Sequence, residues 1–163
     1  MALFGPKLSP DLIALVAGSR VLASTQATSG TLVGLAERLL YPGVNGPREV
    51  EWHQIERGSW NAQTQHLSWT TVDAEPVDLE LIKPGRFPQF FRERVNATIA
   101  YTGSLGLGGK KSVVINARRS LAEPNAPLIW RASPGADTTA ADIADDPLVA
   151  LELERRRAEF DLR

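Results

Sequence analysis

The chain has 163 residues and a net charge of −1 at pH 7, with 43% hydrophobic residues, 23% charged residues and no cysteine. This balance is typical of a folded globular protein rather than a disordered one, and the length suffices to bury a core. The near-neutral charge provides no overall field toward nucleic acid or anionic lipid, and the lack of cysteine excludes disulfides, thiolate catalysis and zinc–sulfur sites.

Residues 1–10 contain no apolar run of the kind found in a secretory signal peptide. Elsewhere no stretch approaches the roughly 18–20 apolar residues that a membrane-spanning helix needs. We therefore expect a cytoplasmic protein without a membrane span.

The first predicted element is a short helix within residues 1–19. Ser9 is a helix N-cap, Pro10 fits the first helical position, and Asp11 places an acid in the first turn. Gly18 is expected to end the helix, because glycine readily adopts the left-handed conformation found there.

Residues 20–82 carry the alternation of half-buried strands. Val50 and Trp52 alternate with acids and His53, and the phase then breaks at Ile55, which predicts a bulge or an interruption. Short strands separated by frequent turns favour an antiparallel sandwich or barrel. The pattern changes after residue 85, where apolar residues recur at helical spacing in residues 87–95, and this helix is expected to cap the open end of the barrel.

The remaining residues, 97–163, predict a β-meander and a final helix. Segments 97–102 and 111–118 are expected to pair across a glycine-rich loop, and 128–131 is a third candidate strand. Residues 133–145 lack large apolar side chains and predict a mobile linker. Asp146-Pro147 predicts the start of the last helix, in which Glu152 and Arg156 have the favourable i,i+4 order.

The segment 103–112 is the best candidate for a phosphate-binding loop, and it fails the pattern. That motif needs glycine at position 104, which is Ser104, and Ser or Thr at position 111, which is Lys111. His53 and His66 fall on polar phases of strands and are expected at the surface, and the four tryptophans are expected in the core. No cofactor, metal ligand or catalytic residue is predicted.

Several segments together resemble the pleckstrin-homology-like (PH-like) superfold, and more narrowly an uncharacterised actinobacterial family of PH-like domains. The resemblance rests on segments 39–42, 48–60 (with Trp52-x-x-Ile55), 65–69, 83–88 and 91–95. It implies a mainly β (α+β) fold: an antiparallel barrel or half-barrel with a capping helix, here extended by a C-terminal β-meander and helix. The chain is expected to form a single domain over residues 1–163, with the PH-like strands and helix in residues 20–96. A lysine-rich first loop is missing, which counts against phosphoinositide binding.

The function expected from these observations is a non-catalytic protein- or peptide-binding adaptor that uses a strand edge or the groove beside the 87–95 helix. The last helix carries two apolar stripes, one with Leu148 and Leu151 and the other with Val149, Leu153 and Phe160. The second stripe is assigned to an unknown protein partner or a second copy of the chain, although one wide groove within the monomer could also bury both stripes. Basic residues are assigned to partner binding as well: Lys110, Lys111, Arg118, Arg119 and Arg131.

Two other functions remain open at this point. One is an enzyme with a carboxylate-based site that leaves no sequence motif. The other is a peripheral membrane or nucleic-acid binder that uses the late basic residues, against which a simply solvated basic face is the plainer interpretation.

Overall fold

The computed structural model of the chain describes residues 7–161. Strands hold 43% of the residues and helices 26%, which confirms the predicted mainly β class. The chain divides into two compact units. The first runs up to Thr98 and also includes Ser120–Pro124, whereas the second comprises Ile99–Arg119 and the residues from Asn125 onward.

The first unit begins with helix α1 (Pro10–Leu15), as the sequence predicts. The Ser9 hydroxyl accepts a hydrogen bond from Leu12 N at 3.3 Å, so Ser9 is the N-cap. Leu12 and Val16 then pack against a small apolar cluster on the neighbouring strands. The helix is short, and this packing supplies the stability that two turns lack on their own.

Two antiparallel meanders follow in the first unit. The four-stranded sheet has the order β1-β2-β3-β4, and the three-stranded sheet has the order β5-β6-β7. A 3-10 turn at Trp52–Gln54 separates the two sheets, so the predicted interruption before Ile55 is confirmed. The strands are β1 (Val21–Ala27), β2 (Gly30–Leu35), β3 (Arg38–Gly43), β4 (Gly46–Glu51), β5 (Ile55–Asn61), β6 (His66–Thr71) and β7 (Val77–Glu80).

Within residues 7–161, the backbone hydrogen bonds between the two sheets lie at one corner. Thr28 N donates to Glu80 O at 2.9 Å and Ile82 N donates to Gln26 O at 2.8 Å, where the end of β1 meets the end of β7. At the opposite corner β4 pairs with β3 and β5 pairs with β6, and no other strand in residues 7–161 pairs with either. The first unit is therefore a half-open barrel with β5 at its open corner.

Helix α2 (Phe87–Ala97) packs onto this half-barrel through two glycines. A Cβ atom on Gly58 of β5 would lie 2.5 Å from Phe91, and one on Gly34 of β2 would overlap the Phe90 ring. Trp52 contacts both phenylalanine rings edge-on, with ring centroids 5.8 Å and 5.7 Å away. The predicted aromatic helix is thus confirmed as part of the core, and it spans both sheets.

The second unit is a three-stranded antiparallel sheet with two helices. The sheet has the order β10-β9-β8, so β8 and β10 are its edge strands. Its elements are β8 (Ile99–Gly108), β9 (Lys111–Arg118), β10 (Ile129–Pro134), α3 (Ala140–Ala144) and α4 (Pro147–Asp161). Both helices contact β10, and Val113, Ile115 and Val149 form the buried centre of the unit.

Two predictions for this region are wrong. The glycine-rich segment is not a loop, because β8 continues to Gly108 and leaves only Gly109 and Lys110 to turn into β9. Residues 133–145 are not a linker either: they complete β10 and form α3, whose N-terminus is capped by Thr139. Ile143 packs against the apolar cluster and Lys111 Nζ lies 2.8 Å from Asp142 Oδ1, so this segment is anchored despite its small side chains.

The Gly58–Phe91 contact yields the first testable prediction. Gly58→Ala should lower the free energy of unfolding by about 1–3 kcal/mol, because the new methyl group must displace a ring held between Trp52 and Trp69. Gly106→Ala is the matched control: open space surrounds that position, and its effect should stay within about 0.5 kcal/mol. Urea denaturation measures both. Equal losses of unfolding free energy for the two substitutions would contradict the close packing of α2 against β5.

A second prediction concerns the anchoring of α3. The side-chain hydrogen bond from Lys111, followed by the backbone hydrogen bond from Thr139, lowers the pKa of Asp142 from its ordinary value of 3.8 to about 2. A depressed carboxyl pKa stabilises the fold above pH 3.8, and this contribution is lost as the pH falls through about 2. Asp142→Asn should therefore lower the melting temperature at neutral pH, and the difference from wild type should shrink toward pH 2.

The control for this experiment is Asp145→Asn, an exposed carboxylate that directly follows α3. Its difference from wild type should change little over the same pH range. A constant difference for Asp142→Asn across the whole range would show that the ion pair does not stabilise the unit.

Candidate functional site

The open corner of the first unit exposes the backbone of β5. Arg57, Gly58 and Ser59 are exposed. Since glycine consists of backbone atoms alone, the exposure of Gly58 means that the main chain itself is accessible there. An unpaired strand edge presents N–H and C=O groups that can accept another strand.

Helix α2 forms one side of this edge. Phe91 lies over Gly58, while Phe90 lies over Gly34 of β2. At 100° per residue, Arg92 and Asn96 fall on the flank of α2 beyond Phe91, away from Phe90. Both side chains are exposed, as is Gly58 of β5, and the buried Phe91 lies between helix and strand. We refer to this surface, formed by the flank of α2 and the edge of β5, as the groove.

Two cations near the edge of β5 carry no compensating charge. Because Gly58 faces Phe91, strand alternation places Arg57 on the face of β5 opposite α2, whereas Arg92 lies on the flank of α2. Arg57 and Arg92 make no hydrogen bond or ion pair within the part of the chain that the structure describes. In contrast, Glu93 accepts a hydrogen bond from Gln89 at 3.0 Å, and Arg94 reaches the Ala36 carbonyl at 3.4 Å. The open edge of β5 thus has one unneutralised cation on its outer face, Arg57, and another on the flank of the helix, Arg92.

The sequence predicts this site only in general terms, as a strand edge or the groove beside the aromatic helix. It did not single out Arg57, Gly58 or Arg92. A glycine inside a strand pattern does indicate close approach of another group, and this is the signal that could have located Gly58. Which group approaches it depends on the tertiary fold.

The stripe of α4 that the sequence assigns to a partner does not face outward in the structure. Val149 is buried, Leu153 packs against the sheet, and Phe160 contacts the rings of Tyr101 and Trp130. This stripe faces its own unit, whereas Leu148 and Leu151 are 54% and 64% exposed. Leu162, the last apolar residue of the exposed stripe, lies outside the described residues.

The predicted basic residues do not share one surface. By strand alternation, Arg118 and Arg131 point to the face of the sheet opposite the helices, and Arg118 is 5% exposed. Lys111 points to the helix side and pairs with Asp142, while Lys110 and Arg119 are exposed just outside β9. Arg155 and Arg156 are both held by Glu152, and the Arg155 hydrogen bond lowers the pKa of that carboxyl.

The two histidines differ from each other. His53 was expected at the surface and is buried, because the 3-10 turn at Trp52–Gln54 interrupts the strand alternation on which that expectation rested. His66 is half-exposed, and its Nδ1 lies 2.9 Å from Asp78 Oδ1. Between residues 7 and 161 no group of three or more His, Asp and Glu side chains is placed to hold a metal ion.

Among the tryptophans, Trp52 and Trp69 are buried, as expected. Trp60 and Trp130 are only partly buried, and each packs against the core of its own unit.

Comparison with known proteins adds no family to this description. No family model matches the chain, and neither the curated proteins nor the solved structures include a significant match. In the described part of the chain, no helix has both the length and the apolar character to cross a bilayer.

The arrangement of α4 gives a third prediction. Leu153→Glu with Phe160→Glu should disrupt the second unit, at a cost of at least about 3 kcal/mol, because both charges would enter its apolar core. Leu148→Glu with Leu151→Glu is the matched control and should leave stability nearly unchanged, since both side chains are exposed.

Tryptophan emission during denaturation reports the outcome, because Trp130 contacts Phe160. If both double variants were equally stable, the inward assignment of the Val149, Leu153 and Phe160 stripe would be wrong.

Proposed function

We propose that the chain is a non-catalytic protein-binding module whose first unit has PH-like architecture and takes an extended peptide segment along β5. The observation that carries the proposal is the exposed backbone of β5 at Gly58, beside helix α2. Peptides commonly bind proteins by adding a strand to such an edge, with main-chain hydrogen bonds supplying affinity. Side chains of the flanking helix then supply specificity.

The topology of the first unit supports the PH-like part of the proposal. Four antiparallel strands are followed by three, the two sheets join at one corner, and the helix follows the seventh strand. This is the order that the resemblance in segments 39–42, 48–60 and 65–69 implies. In such an architecture the helix covers the core between the sheets, and here Phe87, Phe91 and Val95 are buried in it.

Charge favours an acidic peptide as the ligand. Arg57, on the outer face of β5, and Arg92, on the flank of α2, have no partner among residues 7–161, and carboxylates on the two faces of an incoming strand could pair with them. This is a local attraction, since the chain as a whole carries a net charge of −1. Raising the salt concentration should weaken binding, since exposed charges are screened.

The fourth prediction is that peptides selected from a random phage-displayed library against the whole chain are enriched in Asp and Glu. A fluorescein-labelled peptide from that selection should bind wild type saturably in fluorescence anisotropy. Arg57→Glu and Arg92→Glu should each weaken this binding at least about tenfold, which corresponds to about 1.4 kcal/mol. Arg48→Glu on the exposed surface of β4 is the matched control and should bind as wild type does.

Amide chemical shifts in NMR locate the site independently of the substitutions. We expect the peptide to perturb residues of β5 and α2 above all. Affinity that both variants leave unchanged, or perturbations centred elsewhere, would overturn the β5 assignment. Failure to select any peptide would count against the binding-module proposal itself.

A further inference from the structure

The second unit has a free strand edge of a different character, along β8. This ten-residue strand pairs with β9 on one side, and no other strand in the described part of the chain pairs with it. Register shifts occur between Ile99 and Tyr101 and between Gly106 and Gly108. Between these shifts the strand is regular. Thr102, Ser104 and Gly106 are exposed there, with the intervening residues half-buried.

A contact from α4 shows which backbone groups point outward. Arg156 Nη2 lies 3.4 Å from the Ser104 carbonyl oxygen, so this carbonyl faces away from β9. In an antiparallel ladder the N–H and C=O of one residue point to the same side, and alternate residues point to opposite sides. Thr102, Ser104 and Gly106 therefore all direct donors and acceptors toward the free edge.

Apart from one contact by Arg156, this edge lacks the features that usually prevent strands from pairing. Proteins protect edges with charged residues, proline or a covering element. β8 contains no charged residue and no proline over its whole length. Arg156 approaches from the helix side, where it is held by Glu152 at 2.6 Å and by the ring of Tyr101, and it occupies only the Ser104 acceptor.

We propose that β8 pairs antiparallel with β8 of a second copy of this chain, with Ser104 opposite Ser104 of the second copy. A two-fold axis through this position makes the interface self-complementary, as symmetric dimers require. The outward groups of Thr102, Ser104 and Gly106 then form about six backbone hydrogen bonds between the copies, with the Ser104 carbonyl accepting from both Arg156 and the second copy through its two lone pairs. The two sheets become one continuous sheet across the axis.

Charge and shape favour a second copy as the occupant. A charge near residue 104 would lie close to an identical charge across the axis, and β8 has no charged residue. In this register Leu105 lies opposite Gly103 of the second copy, and Tyr101 lies opposite Leu107. The half-buried Leu105 and Leu107 side chains, which belong to the apolar cluster of the unit, gain cover on their open sides.

The test begins with the oligomeric state of the whole chain, which has a mass of 17.7 kDa as a monomer. Sedimentation equilibrium should show a concentration-dependent dimer. Ser104→Lys should raise the dissociation constant at least about tenfold, because two ammonium groups then meet at the axis. Ser29→Lys, at an exposed serine in the β1–β2 turn, should leave the dimer unchanged.

Crosslinking tests the register, since the chain has no cysteine of its own. Directly paired residues in antiparallel strands have Cα atoms about 4.5–5.5 Å apart, which a disulfide can span. Ser104→Cys should therefore form a covalent dimer on mild oxidation, whereas Thr102→Cys should not, because its equivalent lies about 14 Å away at roughly 3.4 Å per residue. Circular dichroism confirms that each variant is folded.

A monomer at every accessible concentration would overturn the proposal. So would a dimer that Ser104→Lys leaves intact, or crosslinking that is no faster at residue 104 than at residue 102. The peptide-binding test at β5 uses other residues in the other unit, so the two proposals can fail independently.

Discussion

The close approach of α2 to two glycines is the contact on which the first unit depends. Phe90 and Phe91 are adjacent in sequence, yet one lies over β2 and the other over β5, so a single helix holds the four-stranded and three-stranded sheets together. Trp52 contacts both rings, and its indole N–H donates to the Leu35 carbonyl at 2.9 Å, which satisfies its buried polar atom. Side chains at positions 34 and 58 would force the helix away from the sheets. The same seating leaves the edge of β5 open, because the helix covers the core between the sheets without pairing to either strand edge.

The second unit is organised in a related way around Arg156. Gly103 has no side chain, and the Arg156 guanidinium lies where a Cβ atom would be. Glu152 and the face of Tyr101 fix its orientation, and Tyr101 in turn packs against Trp130 and Phe160. A glycine on an edge strand thus lets a helix side chain reach the backbone of the strand. Arg156 covers only the Ser104 acceptor of the β8 edge, and Thr102 and Gly106 stay exposed.

The β5 and β8 edges differ in chemistry, and this difference separates the partners that we propose. The β5 edge carries Arg57 and lies beside Arg92, so an identical strand paired there would bring like charges together, whereas an acidic peptide would be attracted. The β8 edge is uncharged and exposes small residues, which lets two copies approach closely. One chain can therefore bind a ligand at one edge and assemble through the other. Neither edge competes for the partner of the other edge.

The amino-acid sequence by itself determined the mainly β class, the N-cap at Ser9, the interruption before Ile55 and the aromatic helix after the seventh strand. These features follow from local chemistry: alternation with a period of two, recurrence with a period of 3.6, and hydrogen-bonding capacity at helix ends. Tertiary packing decided the rest. His53 is buried because a turn shifts it out of the strand phase, and the small side chains of residues 133–145 form α3 because β10 and Lys111 anchor them. Likewise the two stripes of α4 have similar composition, and only the position of Tyr101 and Trp130 determines that Phe160 faces inward and Leu151 outward. Local patterns show that a face is apolar, but the element that covers it is distant in sequence, so only the folded structure identifies that element.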